Sequence, residues 1–594
     1  MPDTQPRPEH PRPQFQRTTW LNLNGPWNFA IDSGKSGEAK GWPQNPAELN
    51  RAITVPFCPE SSLSGIQHTD FMPSVWYHRT LDIPDEWTDK RVLLHFGAVD
   101  YHCKAWVNGR LIGQHYGGSS SFTYDITDAL TSNANHLVVC ANDDTRSGDQ
   151  PSGKQCPDLY SRGCHYTRVT GIWQTVWLEA VPESRIETVR IVPDLDSSRF
   201  VLTPTFKNAH RGHTFRAVLL NGKEEVAVST MPATSGAAMS LRIKNPQPWS
   251  PANPHLYNLR FELRDGDTTI DTVNSYAGLR KFHIEGHKFY LNNTPIFLRL
   301  VLDQGFYPDG IWTAPSDDML KSDIEKSLAV GFNGARLHQK VFEERFHYWA
   351  DKLGYLTWGE YCDWGMNFGS PQSIHNQQRE WREIVQRDLN HPSILAWTPY
   401  NETRGGATNH FEAHRRAVQE TYDLTRALDP SRPCHDTSGY VHVCTDIYTV
   451  HDYEQDPVKF KATYAPVSPD DWKNTPIRFP ELSAPYQGQP YVVDEYGGTW
   501  WDPNAVETEQ DADRKSSWGY GKRPTDIEEV YHRIEKLTAI LLNHPNIAGY
   551  CYTQLTDIEQ EQNGIYTYDR REKFDAKRLK KYFGAPSAIE RIDE

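Results

Sequence analysis

Long apolar runs are missing from this chain of 594 residues: no stretch approaches 18 consecutive apolar side chains, and the opening Met1 to Pro13 is polar and proline-rich. Neither a membrane-spanning helix nor the apolar core of a secretory signal is present, so a cytoplasmic location is expected. Basic charge is in deficit, with 62 Lys plus Arg against 77 Asp plus Glu and a net charge of −15. Such a surface repels polyanions, which excludes nucleic acid and acidic membrane as natural partners. A disulfide framework is also lacking. The nine cysteines (58, 103, 140, 156, 164, 362, 434, 444, 551) are odd in number and scattered, which suits reduced and mostly buried thiols. Internal repeats and low-complexity tracts are absent as well. What the chain has in abundance is aromatic surface: 19 Trp, 29 Tyr and 23 Phe. These rings fill large cores, and they are equally the flat platforms on which sugar rings stack.

At roughly 150 residues per unit the length allows about four domains, or fewer if one is a barrel. From Trp20 to Val181 short alternating segments (Trp27–Ile31, Val75–Arg79, Arg91–Phe96, Lys104–Val107, His136–Cys140, Gln174–Leu178) are separated by turn signals. Asn108-Gly109 is the strongest of these, a two-residue hairpin cue. This region, residues 1–183, reads as a β-sandwich. A second β region, 184–280, contains Phe200–Phe206, Phe215–Leu220 and Leu256–Leu263 and has the size of an immunoglobulin-like sandwich. Beyond it, 281–594 alternates short buried strands with segments of helical period. Eight strands are expected: Ile296–Asp303, Asn333–His338, Tyr355–Tyr361, Ile394–Glu402, Pro433–Gly439, Asp446–Tyr453, Tyr491–Glu495 and Ala548–Leu555. Between the first two, Ser316 caps a helix that carries Met319, Leu320, Ile324, Leu328 and Val330 and stops at Gly331. His375–Asn390, Phe411–Leu428 and Asp526–Leu542 read as further helices. The pattern predicts a (β/α)₈ TIM barrel, whose chemistry sits at the strand C-termini.

Two carboxylates fall at such ends. Glu402 closes strand four in Trp397-Thr398-Pro399-Tyr400-Asn401-Glu402, and Glu495 closes strand seven in Val492-Val493-Asp494-Glu495-Tyr496-Gly497. Strands four and seven face each other across a barrel mouth, so both side chains can enter one cavity. That geometry suits a glycosidase, retaining if the carboxyls are about 5–5.5 Å apart and inverting at about 6.5–9.5 Å.

The whole chain resembles glycoside hydrolase family 2, the family of β-galactosidases, β-glucuronidases and β-mannosidases. The resemblance lies in Leu23-Asn24-Gly25-Pro26-Trp27-Asn28-Phe29, in Phe282-His283-Ile284 with Leu291-Asn292-Asn293-Thr294-Pro295-Ile296, and in Arg387-Asp388-Leu389-Asn390-His391-Pro392-Ser393-Ile394. It continues in Asn401-Glu402 and in Gly549-Tyr550-Cys551-Tyr552-Thr553-Gln554. It implies a jelly-roll, sugar-binding-like first sandwich and a retaining mechanism, with Glu402 as general acid/base and Glu495 as nucleophile. It further implies that Asn401 hydrogen-bonds the sugar 2-hydroxyl and that Arg336 orients the nucleophile. Glu402 must carry a proton when it meets substrate and take one from water later, after Glu495 has been consumed in a covalent bond. Further candidates for the pocket are His338, Asp303, Trp358, Glu360, His451, Tyr453 (a hydroxyl donor near Glu495), Trp500 (a stacking wall) and Gln554. Cys156, Cys164 and His165 fit no zinc spacing; no metal and no cofactor is expected.

Departures from the family bear on the substrate. Leu300-Val301-Leu302-Asp303-Gln304 stands where β-galactosidases have Arg-His-Glu. The third strand ends Thr357-Trp358-Gly359-Glu360 instead of Asp-Glu, which removes support for a magnesium site. Glu559-Gln560-Glu561-Gln562-Asn563-Gly564-Ile565-Tyr566-Thr567 stands where β-glucuronidases have the Asn-x-Lys that pairs with a uronate. A glutamate there disfavours a uronate by on the order of a few kcal/mol. The expectation is therefore an exo-glycosidase for a neutral sugar of an oligosaccharide or glycoside, of β-galactosidase type first. The alternatives are an α-L-arabinofuranosidase or β-D-galactofuranosidase using the same carboxylates, and behind these a β-glucuronidase or a non-catalytic carbohydrate-binding protein. The linker Pro182-Glu183-Ser184 and the insert 454–490 are expected to border the pocket, and a homo-oligomer is left open.

Overall fold

A computed structural model of the chain describes residues 5–404, 410–504 and 510–591. The first domain packs a six-stranded antiparallel sheet (order Arg51–Val55, Gly25–Ile31, Ser74–Leu81, Asn135–Asn142, His102–Val107, Arg110–Tyr116) on a four-stranded one (Trp20–Asn22, Val176–Val181, Arg91–Phe96, Phe122–Asp125). Alternation drives this, because Phe29, Tyr77, Leu94, Val139 and Leu178 all point into one buried layer. Asn108 and Gly109 take φ of 51° and 76° and join Val107 to its partner Arg110, the left-handed pair that a two-residue hairpin turn needs. The second domain sets Arg185–Asp194, Arg199–Lys207 and Met239–Arg242 against the sheet Glu224–Pro232, His213–Asn221, Tyr257–Asp265 and Thr268–Ala277, with Phe200, Phe215 and Phe261 between them. Buried Arg17 ties the two sandwiches together, donating to Glu179 at 2.9 Å in one and to Asp271 at 2.9 Å in the other.

In the third domain seven parallel strands curl in the order Ile394–Thr398, Leu356–Glu360, Gly334–Leu337, Leu298–Asp303, Ile547–Thr553, Tyr491–Gly497 and Tyr448–Asp452. The remaining strand, fifth in chain order, is reduced to Thr437–Ser438, which pairs in parallel with Tyr400–Asn401. It meets the sixth strand through Gly439 N–H donating to Thr449 Oγ1 at 2.9 Å. The result is a TIM barrel with a thin seam beside strand four. Ser316 Oγ accepts from Met319 N–H at the start of helix Asp317–Ala329, and Gly331 follows its end at φ 103°. Helix Phe411–Leu428 matches the periodicity, and helix Ile527–Leu542 is capped by Asp526. The helix expected over His375–Asn390 runs from Pro371 to Asp388, starting earlier than its apolar period because Ser370 caps it and Pro371 suits the first turn.

The insert 454–490 is not a free flap. Asp456 caps a helix, Pro457–Tyr464, whose Phe460 and Tyr464 are buried in the barrel core, and Tyr464 donates to Asp452 at 3.0 Å. The stretch around Phe479 turns toward Tyr440, which its ring meets edge-on. The linker at Pro182 also lies away from the pocket: Ser184 donates to Asn208 O at the junction of the two sandwiches. Among the described residues no helix is long and apolar enough to cross a membrane.

Candidate active site

Parallel strands deliver their last side chains to one rim, and the barrel thereby gathers residues from several strand ends. Glu495 is 5 % exposed. Its Oε1 accepts from Arg336 Nη1 at 2.9 Å and its Oε2 from the Tyr453 hydroxyl at 2.5 Å. Glu402 follows the short strand Tyr400–Asn401 with φ 52°, a left-handed conformation rare for a residue with a side chain, and its N–H donates to Ser438 O at 2.9 Å. His451 stands between the two acids. Its Nδ1 lies 2.8 Å from Glu402 Oε1 and 3.3 Å from Glu495 Oε2, while Nε2 contacts Ser438 Oγ at 2.8 Å. One oxygen of each carboxylate and a ring nitrogen of His451 lie within 4.8 Å of one another.

The electrostatics separate the acids' surroundings. Burial alone would raise the Glu495 pKa, but the positive charges of His451, Arg336 and Lys154 overcome it and bring it down to about 2. Glu495 is thus held in its ionised form. His451 is pushed the other way: burial would lower its pKa, yet Glu495, Asp494 and Glu402 raise it, which favours the imidazolium. Arg336 is the hub beneath. Besides Glu495 it donates to Glu360 Oε2 at 2.5 Å, to Asn401 Oδ1 at 2.6 Å and to Asp494 O at 3.2 Å. With its Oδ1 held by Arg336, Asn401 has a buried Nδ2 without a partner among the described residues, a donor aimed by that contact.

Other expected site residues divide by location. His338 and Glu360 belong to the Arg336 layer: His338 Nδ1 is 2.9 Å from Glu360 Oε1, whose other oxygen holds Arg336. Burial first, then Lys154 and Arg336, push the His338 pKa well down, so the ring is neutral. Both orient the site from below. Trp358 lies a layer deeper in the barrel, stacked on His435 at 5.2 Å, because two residues back along a strand is one layer down. Asp303 is not brought to the acids. Its carboxylate accepts from Gly305 N–H at 2.9 Å, and its charged neighbours are Asp323, Arg570 and Lys340. Burial and Asp323 raise its pKa to about 6. Trp500 is 2 % exposed and turned inward, its Nε1 donating to Ser517 Oγ at 2.9 Å, so it offers no open face for stacking. Gln554 links Gln304 (2.6 Å) to Asn563 (2.8 Å) and supports the wall.

Sequence reasoning missed the part of the site that comes from the first domain. The loop 143–170 leaves the sandwich and lies on the barrel mouth, where Ser152 N–H donates to Trp364 O at 2.8 Å and Gly153 N–H to Cys362 O at 3.1 Å. It carries Lys154, 6 % exposed, whose Nζ is 5.1 Å from the Trp364 ring centroid. Burial would lower the Lys154 pKa, but Cys164, Glu561, Glu495 and Glu402 raise it above the ordinary value. The carboxylate of Glu561 accepts from the Tyr166 hydroxyl of the same loop and from Asn563 Nδ2 at 2.9 Å. The sequence reading of Glu561 as a charge that disfavours a uronate did not include these partners: hydrogen bonds from Tyr166 and Asn563 and the Lys154 cation act on it. No sequence pattern links Lys154 to the glutamates; only the docking of two domains does.

Two donor sets among the described residues have the spacing to hold a cation: Glu402, His451 and Glu495, and, on the second domain, His210, His213 and Asp265. In the first, Arg336 and Tyr453 already donate to both Glu495 oxygens, so the arrangement is one of hydrogen-bonded acids. Cys156 Sγ donates to Tyr160 O, and His165 packs on Trp364 with centroids 5.3 Å apart.

Comparison with known proteins agrees with this geometry. Residues 21–182 match the model of the glycosyl hydrolases family 2 sugar binding domain, 184–280 that of glycosyl hydrolases family 2, and 282–585 that of the family 2 TIM barrel domain. A β-glucuronidase of Paenibacillus borealis is 23 % identical over 95 % of this chain and 96 % of its own length. A putative β-glucuronidase of Formosa agariphila is 28 % identical over 60 % of this chain and 44 % of that protein. A β-galactosidase of Thermoanaerobacter pseudethanolicus is 26 % identical over 64 % of this chain and 50 % of its own. The chain thus spans about half the length of two of these relatives and nearly all of the third. The solved β-glucuronidase of Lactobacillus rhamnosus superposes with a TM-score of 0.79 at 21 % identity, covering 98 % of both chains. Three domain models in order along the chain and two acids at the mouth of the last place this protein in glycosyl hydrolase family 2, as an O-glycosyl hydrolase.

Proposed function

We propose that the protein is a retaining exo-glycosidase in which Glu495 is the nucleophile and Glu402 the general acid/base. The observation that carries this is the closeness of the two acids, an oxygen of each lying within 4.8 Å of the other with His451 between them, short of the about 6.5–9.5 Å that inverting enzymes keep for a water. In the first step a Glu495 oxygen bonds to the anomeric carbon while the bond to the aglycone oxygen breaks, and Glu402 gives that oxygen its proton. The Glu495 charge is then gone. Glu402, now ionised, takes a proton from water, whose oxygen attacks the same carbon and releases Glu495. His451, in contact with both acids, follows their charge through the two steps. Asn401 Nδ2 has the free donor that a sugar 2-hydroxyl needs.

For the glycone, a β-glucuronide is the first reading. It is supported by a full-length relative named as a β-glucuronidase and by a cation in the pocket. A β-galactoside is the second reading, supported by the relatives named β-galactosidase and by the absence of Asn-x-Lys at Glu561-Gln562-Asn563. The test is proton NMR of the first-formed product from a nitrophenyl glycoside the enzyme cleaves, with mass spectrometry after a 2-deoxy-2-fluoro inactivator of that sugar. A product of unchanged anomeric configuration and a label on Glu495 are expected. An inverted product, or a label elsewhere, overturns the mechanism.

A further inference from the structure

Lys154 is unusual in its surroundings. It is a cation 94 % removed from solvent, since its exposure is 6 %, yet no carboxylate among the described residues comes within ion-pair distance of its Nζ. Buried ammonium groups are costly unless paired, and this one lies over the face of Trp364, 5.1 Å from the ring centroid. Its backbone is fixed from three directions. Gly153, at φ 57°, sits so close to the barrel that an added Cβ would lie 2.4 Å from Gln339 O; Ser152 and Gly153 donate to the barrel loop; and Tyr166 N–H donates to Lys154 O at 2.8 Å. The chain has therefore built a rigid platform that holds one ammonium at the barrel mouth. The influence runs in both directions, since Lys154 also acts on Glu495, Glu561 and the neutral ring of His338.

Resting on the reading of Glu402 and Glu495 as a glycosidase pair, we infer that Lys154, supplied by the sandwich domain, is the specificity-determining residue that binds the carboxylate of a terminal hexuronic acid. A uronate gives the buried ammonium the counter-ion that the protein withholds, through charge-assisted hydrogen bonds from Nζ to the carboxylate oxygens. The cation that Glu561-Gln562-Asn563 lacks is thereby restored from another domain. Glu561, held by Tyr166 and Asn563, borders the same wall and limits its net positive charge, which allows the product uronate to leave.

The experiment compares wild type, Lys154→Met and Lys154→Arg on nitrophenyl substrates matched except at C6: β-D-glucuronide against β-D-glucoside, and the galacturonide against the galactoside. Wild type should favour the uronide of at least one pair. Lys154→Met should lower the uronide-to-neutral ratio of kcat/KM by about 100-fold, the order expected for removing one partner of a buried charge pair, mostly through KM. Lys154→Arg should recover at least a tenth of the ratio, because the charge is kept. Equal losses on both members of a pair would make Lys154 a merely structural or nucleophile-tuning group and overturn the inference. So would a wild type that prefers the neutral member. Neither result touches the carboxylate mechanism, which fails if Glu495→Gln retains turnover of the best substrate.

Discussion

Arg336→Lys is the most informative single change, because it keeps one positive charge and removes the geometry. Arg336 donates to Glu360, Glu495, Asn401 and Asp494 O at once, over 2.5–3.2 Å, from a side chain with no solvent exposure. An ammonium has three donors converging on one point and cannot span these acceptors. The displacement of Glu495 from its ordinary 4.5 to about 2 corresponds to about 3 kcal/mol in favour of the ionised form, which His451, Arg336 and Lys154 supply against burial. Losing one charge-assisted hydrogen bond to a buried carboxylate costs about 1.5–3 kcal/mol. We therefore expect kcat/KM at its optimum to fall by about 100-fold and the acid limb of its pH profile to move up by roughly one unit. Stability follows the same group with a definite sign. The depressed Glu495 contributes stability that is fully present above its unfolded pKa near 4.5 and is lost as pH falls toward 2. The gap between wild type and variant in urea unfolding should thus be widest above pH about 4.5 and close below it. An unmoved acid limb together with a fall in kcat/KM of less than about threefold would refute the assignment of Arg336 as the residue holding the nucleophile ionised.

Four further outcomes are expected. Tyr453→Phe removes the hydroxyl that donates to Glu495 at 2.5 Å and should lower kcat by about 10- to 100-fold, with the acid limb moving up, read from the same pH profiles. Asn401→Ala should cost about 100-fold in kcat/KM on a substrate with a 2-hydroxyl and little on its 2-deoxy analogue; equal losses on both would mean that the free Nδ2 is not a substrate donor. Gly153→Ala places a methyl 2.4 Å from Gln339 O, so the loop 143–170 should lift, with faster proteolytic cleavage there and lost glycosidase activity while circular dichroism stays unchanged. Trp381→Ala empties a fully buried site beside Tyr361 and Trp397. It should destabilise the barrel by about 3–5 kcal/mol in urea titrations without changing KM, since its partners Tyr361, Trp397 and Thr425 are core residues.

Much of the architecture and both acids are legible in the sequence because they depend on local rules. Alternation buries one face of each sandwich strand, Asn108-Gly109 imposes its own turn, Ser316 caps its own helix, and barrel topology sends the residues after strands four and seven to one rim whatever their separation in the chain. That reasoning misplaces residues wherever a side chain's direction depends on a neighbour. Asp303 ends a strand yet looks away toward Asp323 and Arg570, Trp358 belongs to the layer below, and Trp500 turns inward to Ser517. Glu402 and Glu495 are thus the sequence's own contribution. Lys154 beside them, the offset charge of Glu561 and the Arg336 hub are decisions of the tertiary structure, because electrostatic partners are set by distances between domains, and no periodicity along a single chain encodes those.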